Sequence, residues 1–175
     1  MTIDDQEKKF TDLYEKESNS LFRFCLLRVS EREQALDITQ EAFMRLWKAF
    51  MAEKPVDNPR AFLFTITRNL IIDWYRKNKA VSLESFSDED NEFDFPDESA
   101  LGNIELGAEA GRVISMINNL EPIYKEVVYL RFVEDLPPKE IANILQINTN
   151  VASVRITRGM EALRKLMNLN NDSKI

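Results

Sequence analysis

Only four glycines interrupt 175 residues, and apolar residues return every three or four positions along most of the chain, while nothing alternates with period two for long. Scarce glycine and a helical period leave one fold class, all-α. Without a sheet, apolar surface is buried only where amphipathic helices pack on one another. A hydrophobic content of 44% is enough for one or two small cores of this kind.

The pattern divides the chain into two small helical domains. The N-terminal one is expected to hold four helices: a first around Phe10, Leu13 and Tyr14, and a second through Leu21, Phe22, Cys25, Leu26 and Val29. A third opens on a Ser30–Glu33 capping box and runs to about Phe50. Its inner face carries Ala35, Ile38, Thr39, Ala42, Phe43, Leu46 and Phe50, and its outer face Asp37, Gln40, Glu41, Met44 and Lys48, with Trp47 at the border. Met44 is then exposed beside acids and an amide, either as a lone surface residue or as part of a protein-binding patch. In the fourth helix, Asn58 caps, Pro59 starts, and Phe62, Ile66, Leu70 and Trp74 follow. Toward its end Arg68, Asn69, Trp74, Tyr75, Arg76, Lys77 and Lys79 interleave cations, an amide and aromatics, a mixture suited to unstacked bases and single-strand backbone. The bland alternative is core aromatics beside a solvated basic face.

Residues 81–103 form a Ser, Asp, Glu and Pro segment without an apolar stripe, expected to be a flexible acidic linker. A second helical unit resumes near Ile104, with Pro122 at another helix start and Val127, Val128, Leu130 and Phe132 for its core. The domains are thus 1–80, a linker at 81–103, and 104–170.

Within the second unit, residues 136–166 read as a helix-turn-helix. Pro138 suits a first helical turn, and Ile141, Ala142 and Leu145 share one face. Gln146 occupies the turn where glycine is common for its access to positive φ, and Asn148 and Thr149 offer caps. On the second helix Ala152, Ile156, Gly159, Met160, Leu163, Leu166 and Met167 occupy one sector. The other carries Ser153, Thr157, Arg158, Glu161 and Lys165, with Arg155 at its margin and two valines, Val151 and Val154. Arginines reach guanine edges or phosphates, and a valine meets a thymine methyl. The competing reading packs both valines on the preceding helix.

A net charge of −7 is unexpected for a DNA reader until it is divided along the chain. Residues 1–79 hold 14 basic and 13 acidic side chains, residues 80–112 hold 1 and 10, and residues 113–175 hold 8 and 7. The excess acid therefore lies in the middle, where DNA repels it and a basic channel attracts it.

One cysteine permits no internal disulfide, and Cys25 in an apolar stretch is expected in the core of a reducing-compartment protein. With no histidine, histidine-based catalysis and zinc sites are excluded. The acidic run from Asp88 to Asp94 lacks the glycine and terminal glutamate of an EF-hand, so no metal and no cofactor are expected. No leader and no run of roughly 20 apolar residues suggest secretion or membrane insertion, so the chain is expected to be cytoplasmic.

In this order, the pieces resemble the extracytoplasmic-function group of bacterial sigma factors, the dissociable promoter-recognition subunits of RNA polymerase. Asp37-Ile-Thr-Gln-Glu-Ala-Phe-Met-Arg-Leu-Trp-Lys is similar to the group's polymerase-binding segment. Pro59-Arg-Ala-Phe-Leu-Phe-Thr-Ile-Thr-Arg-Asn-Leu-Ile-Ile-Asp-Trp-Tyr-Arg is similar to its segment for melting and reading the minus-ten element. Leu120-Glu-Pro through Leu130-Arg, then Glu140-Ile-Ala to Arg164, is similar to its minus-thirty-five reader.

The resemblance implies a factor without catalysis of its own. It carries contact with the β′ clamp helices of core RNA polymerase to Asp37, Gln40, Glu41, Met44 and Lys48. Minus-ten DNA contacts fall to Arg68, Asn69, Arg76 and Lys77, beside a loop at about 52–57 that holds a flipped base. The linker threads a basic channel toward the polymerase active site, and the second domain sits on the β flap. There Ser153, Val154, Arg155, Thr157 and Arg158 meet minus-thirty-five promoter DNA. Members of the group are commonly held inactive by an anti-sigma factor, and the free chain is expected to be a monomer. The sequence departs from the usual pattern at Ser153, Val154, Thr157 and Gly159, and at Pro137, where a capping serine is common. Two other readings compete. One is a stand-alone helix-turn-helix regulator that binds operator DNA as a dimer, and the other is an acid-based nuclease, disfavoured because its acids cluster in the segment least able to hold fixed geometry.

Overall fold

The computed structural model describes residues 3–80 and 108–172, and every regular element within them is a helix. The expected linker at 81–103 and the helix resumption near Ile104 lie outside the described residues. The chain divides into two compact units, Met1–Phe86 and Ser87–Ile175.

The first unit packs three helices pairwise, α1 (Ile3–Val29), α2 (Arg32–Met51) and α3 (Pro59–Ala80). The first two helices read from the sequence are one. Ser18, Asn19 and Ser20 are weak helix formers and suggest a break, but no proline or glycine enforces it. The bridging stretch is instead tied down. Glu17, only 3% exposed, accepts from Arg60 Nε on α3 at 2.8 Å, and Arg23 Nη2 donates to Ser20 Oγ at 3.3 Å.

The Ser30–Glu33 capping box is also corrected. Ser30 adopts φ 61 and its N–H closes α1 onto the Leu26 carbonyl at 3.0 Å, a left-handed helix stop of the kind glycine usually supplies. Glu31, extended at φ −110 and ψ 122, starts α2 with no side-chain cap. By contrast Asn58 does cap α3, its Oδ1 accepting from Ala61 N–H at 3.1 Å.

All seven residues expected on the inner face of α2 are buried. Phe10 and Tyr14 of α1 meet Phe43 edge-on, with centroids 6.0 and 4.7 Å apart, and Phe10 meets Trp47 at 5.2 Å. On α3 the buried sector is Ala61, Leu63, Phe64, Thr67 and Ile71, whereas Phe62, Ile66, Leu70 and Trp74 are only half-buried. At the far end of the unit the Tyr75 hydroxyl donates to the Arg28 carbonyl, and the Arg28 guanidinium lies 3.4 Å over the Phe24 ring.

The second unit comprises α4 (Ala108–Asn118), α5 (Pro122–Val128) running into a π-helical turn at Tyr129–Val133, α6 (Pro138–Leu145) and α7 (Thr149–Asp172). α7 is the shared partner, packing on α4, α5 and α6. The wide turn, with Glu134 N–H on the Tyr129 carbonyl at 3.3 Å, shifts the register of the segment. Tyr129 is fully buried and hydrogen-bonds Glu134 Oε1 at 3.2 Å, while Phe132, expected in the core, is 44% exposed. In α6, Ile144 is fully buried and Leu145 only half, and in α7 Met167 is exposed.

Gln146 takes the left-handed conformation at φ 56 and ψ 40 without being glycine. Asn148 Oδ1 accepts from Asn150 N–H at 2.8 Å, and the Asn148 carbonyl accepts the N–H of Ala152 at 2.9 Å. The helix-turn-helix is therefore present at the expected place. Gly159 lies where α7 approaches α5 most closely, since a Cβ there would stand 2.5 Å from Val128 Cγ2 and 3.2 Å from Tyr124 Cβ.

Candidate nucleic-acid and protein interfaces

Three surfaces carry the residues singled out from the sequence. On α2, a long helix with one apolar stripe buried, the opposite face is open for contact. Asp37, Gln40, Met44 and Lys48 are exposed on it and Glu41 is half-buried. Met44 stands 47% open to solvent. Leu36 and Met51, also exposed, extend the same stripe at its two ends. Their spacing of four and seven residues from Gln40 and Met44 is the signal that identifies them. Glu41 pairs with Arg45 Nε at 2.7 Å across the surface, so the face presents a polarizable apolar centre ringed by acids, amide and lysine. Contact between α1 and Trp47 fixes the border of this face.

On α3 the candidate residues separate. Asn69, Asp73, Arg76 and Lys77 fall within about 100° of one another at 3.6 residues per turn, on the side away from the packed sector. Arg76, Lys77 and Asp73 are exposed, and Asn69 is half-buried. Arg76 Nη1 and Asp73 Oδ1 are 4.0 Å apart, too far and too exposed to neutralise the cation. Arg68 stands apart from this group. It lies four residues after Phe64 and three before Ile71, both fully buried, and is itself half-buried toward the packed side. Trp74 meets Tyr75 edge-on at 4.9 Å, so the aromatics at this end are partly structural and partly available.

The loop before α3 borders a cavity of about 290 Å³ lined by Gln6, Lys9, Phe50, Glu53, Lys54, Pro55 and Val56. Glu53 turns the chain there at φ 51. The contribution of Gln6 and Lys9 from the start of α1 is a long-range effect with no local sequence signal.

On α7 the inner sector holds the helix in place and the outer one is open. Val154, Thr157 and Arg158 are exposed, and Ser153 and Arg155 are half-buried at the margin. Ser153, Val154, Thr157, Arg158 and Glu161 line one shallow groove. The Thr157 hydroxyl donates to the Ser153 carbonyl at 3.0 Å, which leaves its oxygen lone pairs for an incoming donor. Val151 and Val154 are 41% and 49% exposed, so neither packs on the preceding helix. Val151, Ser153, Val154 and Arg158 thus share one half of the helix with the chain entering from the polar Asn148–Thr149–Asn150 turn.

Among the described residues no group of three acidic, cysteine or histidine side chains converges on a metal position. The acidic run at 88–94 lies outside them. The only cysteine is chemically quiet, because burial pushes the Cys25 thiol from 9.0 to about 12 against smaller opposing effects of the Thr39 hydrogen bond and Arg28. No helix among the described residues is long and apolar enough to cross a membrane.

Two family descriptions match the two units in the same order. Sigma-70 region 2 covers residues 13–81 and Sigma-70 region 4 covers residues 110–163. The ECF RNA polymerase sigma factor SigW of Bacillus subtilis is 30% identical over 170 residues, spanning 89% of this chain and 87% of that protein. SigX of the same organism is 25% identical over 167 residues, spanning 93% and 86%. Among solved structures, the sigma factor RpoE of Bartonella quintana, crystallised with the anti-sigma factor NepR, superposes with a TM-score of 0.63. It does so at 19% identity, over 92% of this chain and 98% of that one, a likeness of fold. Both sigma regions within a single chain do not favour a stand-alone operator-binding regulator. The chain belongs to the ECF sigma factors of RNA polymerase, and it is an alternative sigma factor that directs promoter-specific transcription.

Proposed function

We propose that α2 docks this chain on core RNA polymerase through Asp37, Gln40, Glu41, Met44 and Lys48. The same proposal has α3 engage the melted minus-ten strand and α7 read the minus-thirty-five duplex. The observation that carries it is the exposed Met44 among Asp37, Gln40, Glu41 and Lys48, with Leu36 and Met51 at the ends of the stripe, on the helix whose other face is core. An apolar centre with a charged rim is the anatomy of a protein contact, while a basic, amide-bearing helix end is that of a strand contact.

On α3, Asn69, Arg76 and Lys77 supply the outward donors, and Arg68 is assigned the inner edge of the same surface. The cavity of about 290 Å³ beside the 53–56 turn is assigned to one unstacked base, with Phe50 and Pro55 as apolar walls and Gln6 as an amide. On α7, Ser153, Val154, Arg155, Thr157 and Arg158 supply the base and phosphate contacts. The 81–103 segment, by its charge, suits the basic channel of the polymerase, and the second unit the β flap. An anti-sigma factor covering the α2 face would silence the protein. The complex of the Bartonella quintana sigma factor with NepR is the precedent for a partner of this class. These roles require a cytoplasmic protein and no chemistry by its own side chains.

Run-off transcription tests the whole assignment, with the protein mixed with core polymerase and fragments of its own genome. Starts from a few promoters sharing two spaced elements are the expected result. Silence from a folded protein, beside polymerase competent with another sigma factor, would refute it. The clamp face is tested by combining Glu41→Lys with Met44→Ala. Met44 is exposed and Glu41 half-buried, and the Glu41–Arg45 pair contributes at most about 1 kcal/mol to folding, so the urea midpoint stays put while polymerase affinity is lost. Unchanged affinity removes α2 from the interface.

A further inference from the structure

We infer that Val151 and Val154 are a thymine-reading pair, so that this factor selects upstream elements carrying thymine methyls at one or two neighbouring positions in the major groove. The inference rests on the assignment of α7 to upstream promoter DNA made above and specifies its chemistry. Both valines are exposed, at 41% and 49%, on a helix that has a complete inner sector without them in Ala152, Ile156, Gly159 and Leu163. Three residues apart, their Cβ atoms lie about 5–6 Å from each other, a span of one to two base steps at the ~3.4 Å rise per strand.

Their surroundings favour DNA over a protein partner. They sit in the first two turns of the second helix of a helix-turn-helix, where the helix end is positive. Arg158 is exposed one turn beyond Val154, and Arg155 lies at the margin. The groove formed by Ser153, Val154, Thr157, Arg158 and Glu161 places one apolar wall among hydrogen-bonding groups. In the major groove only thymine shows an apolar group, its C5 methyl. Cytosine lacks the methyl at C5 and carries an amino donor on the neighbouring C4, which an apolar valine beside it would leave buried and unpaired. The pair therefore selects for thymine and against cytosine, while Arg158 and Thr157 handle the flanking polar edges.

The experiment uses holoenzyme and a promoter recovered by the run-off mapping, with each upstream thymine replaced in turn by deoxyuridine, which removes the methyl alone. Binding and initiation are measured for wild type, Val151→Ala and Val154→Ala, and each result is the thymine-to-uracil ratio within one protein. A partly folded variant lowers both terms equally and leaves the ratio intact. For wild type the expected ratio is about 4 at one or two positions, the factor equivalent to the ~0.8 kcal/mol of one buried methyl group. At the matching position it falls to near 1 in one valine variant. A ratio near 1 everywhere in wild type, or one that survives in both variants, overturns the inference while the promoter-reading role stands. Equal losses on thymine and uracil DNA in both valine variants leave the ratio unchanged and overturn the inference, and with an unchanged urea midpoint they would reassign the valines to a protein contact. If no promoter-specific start is found at all, the promoter-reading role fails and this inference falls with it.

Discussion

Gly159 and Gly111 have the same side chain in the same kind of element, yet the structure gives them opposite futures. At Gly111 an added Cβ meets nothing within 4 Å, so Gly111→Ala gains helix propensity and reduces unfolded-state freedom. The expected stabilisation is about 0.5–1 kcal/mol by urea unfolding. At Gly159 the Cβ would press on Val128 and Tyr124, and Val128 is fully buried with nowhere to move. Overpacking of about 1–3 kcal/mol exceeds the propensity gain, so Gly159→Ala lowers the urea midpoint. Spacing puts Gly159 on the inner sector of its helix, but how closely it is approached is decided by a helix thirty residues earlier in the chain. Cys25 is legible by contrast, since its apolar neighbours already imply burial. Its unfolded thiol ionises near 9.0 while the folded one holds its proton to about 12. That contribution to stability is complete below pH 9 and is lost as pH rises toward 12. Iodoacetamide at pH 8.5 should leave the folded protein unlabelled and label it fully in urea, and labelling without denaturant would contradict the burial.

Helices are legible where one apolar stripe is all they have. On α2 one sector is continuous and apolar but for Thr39, so both its core residues and the exposure of Met44 outside it followed from spacing alone. α3 has apolar residues on more than one side. Phe62, Ile66, Leu70 and Trp74 form as good a stripe as Ala61, Phe64 and Ile71, and only contact with α1 and α2 decides that the second is buried. The same limit explains Phe132. A five-residue hydrogen-bond step rotates the register after Tyr129, and nothing in the local composition announces it. Boundaries fail for a related reason. Ser30 is a good cap by type, but its backbone was needed in the left-handed region to end α1, and a residue cannot do both. The α1–α3 contact at the other end has a direct test. Tyr75→Phe removes the hydroxyl that donates to the Arg28 carbonyl and is expected to cost about 1 kcal/mol, read as a shift of the urea midpoint, with the mean residue ellipticity unchanged.

For the molecule as a whole, the order of the two regions was legible because each stretch carries its own residue pattern, and the excess acid of the sequence lies between them. Residues 1–79 and 113–175 are each nearly neutral while residues 80–112 are strongly acidic, so the free chain is repelled from duplex DNA at long range. Replacing Asp88, Glu89, Asp90, Glu92 and Asp94 by their amides should raise the affinity of the free chain for promoter duplex several-fold at low salt. The gain shrinks as the screening length falls to roughly 8 Å near 0.15 M, and no gain at low salt would show that the acids have no such role. A last consequence comes from the continuity of α1. Its 27 residues make a rod of about 40 Å. Phe10 and Tyr14 brace α2 near one end, and the Arg28 carbonyl holds Tyr75 of α3 at the other. One stiff strut thus backs both helices, so a push on the first arrives at the second as leverage rather than being lost in a joint.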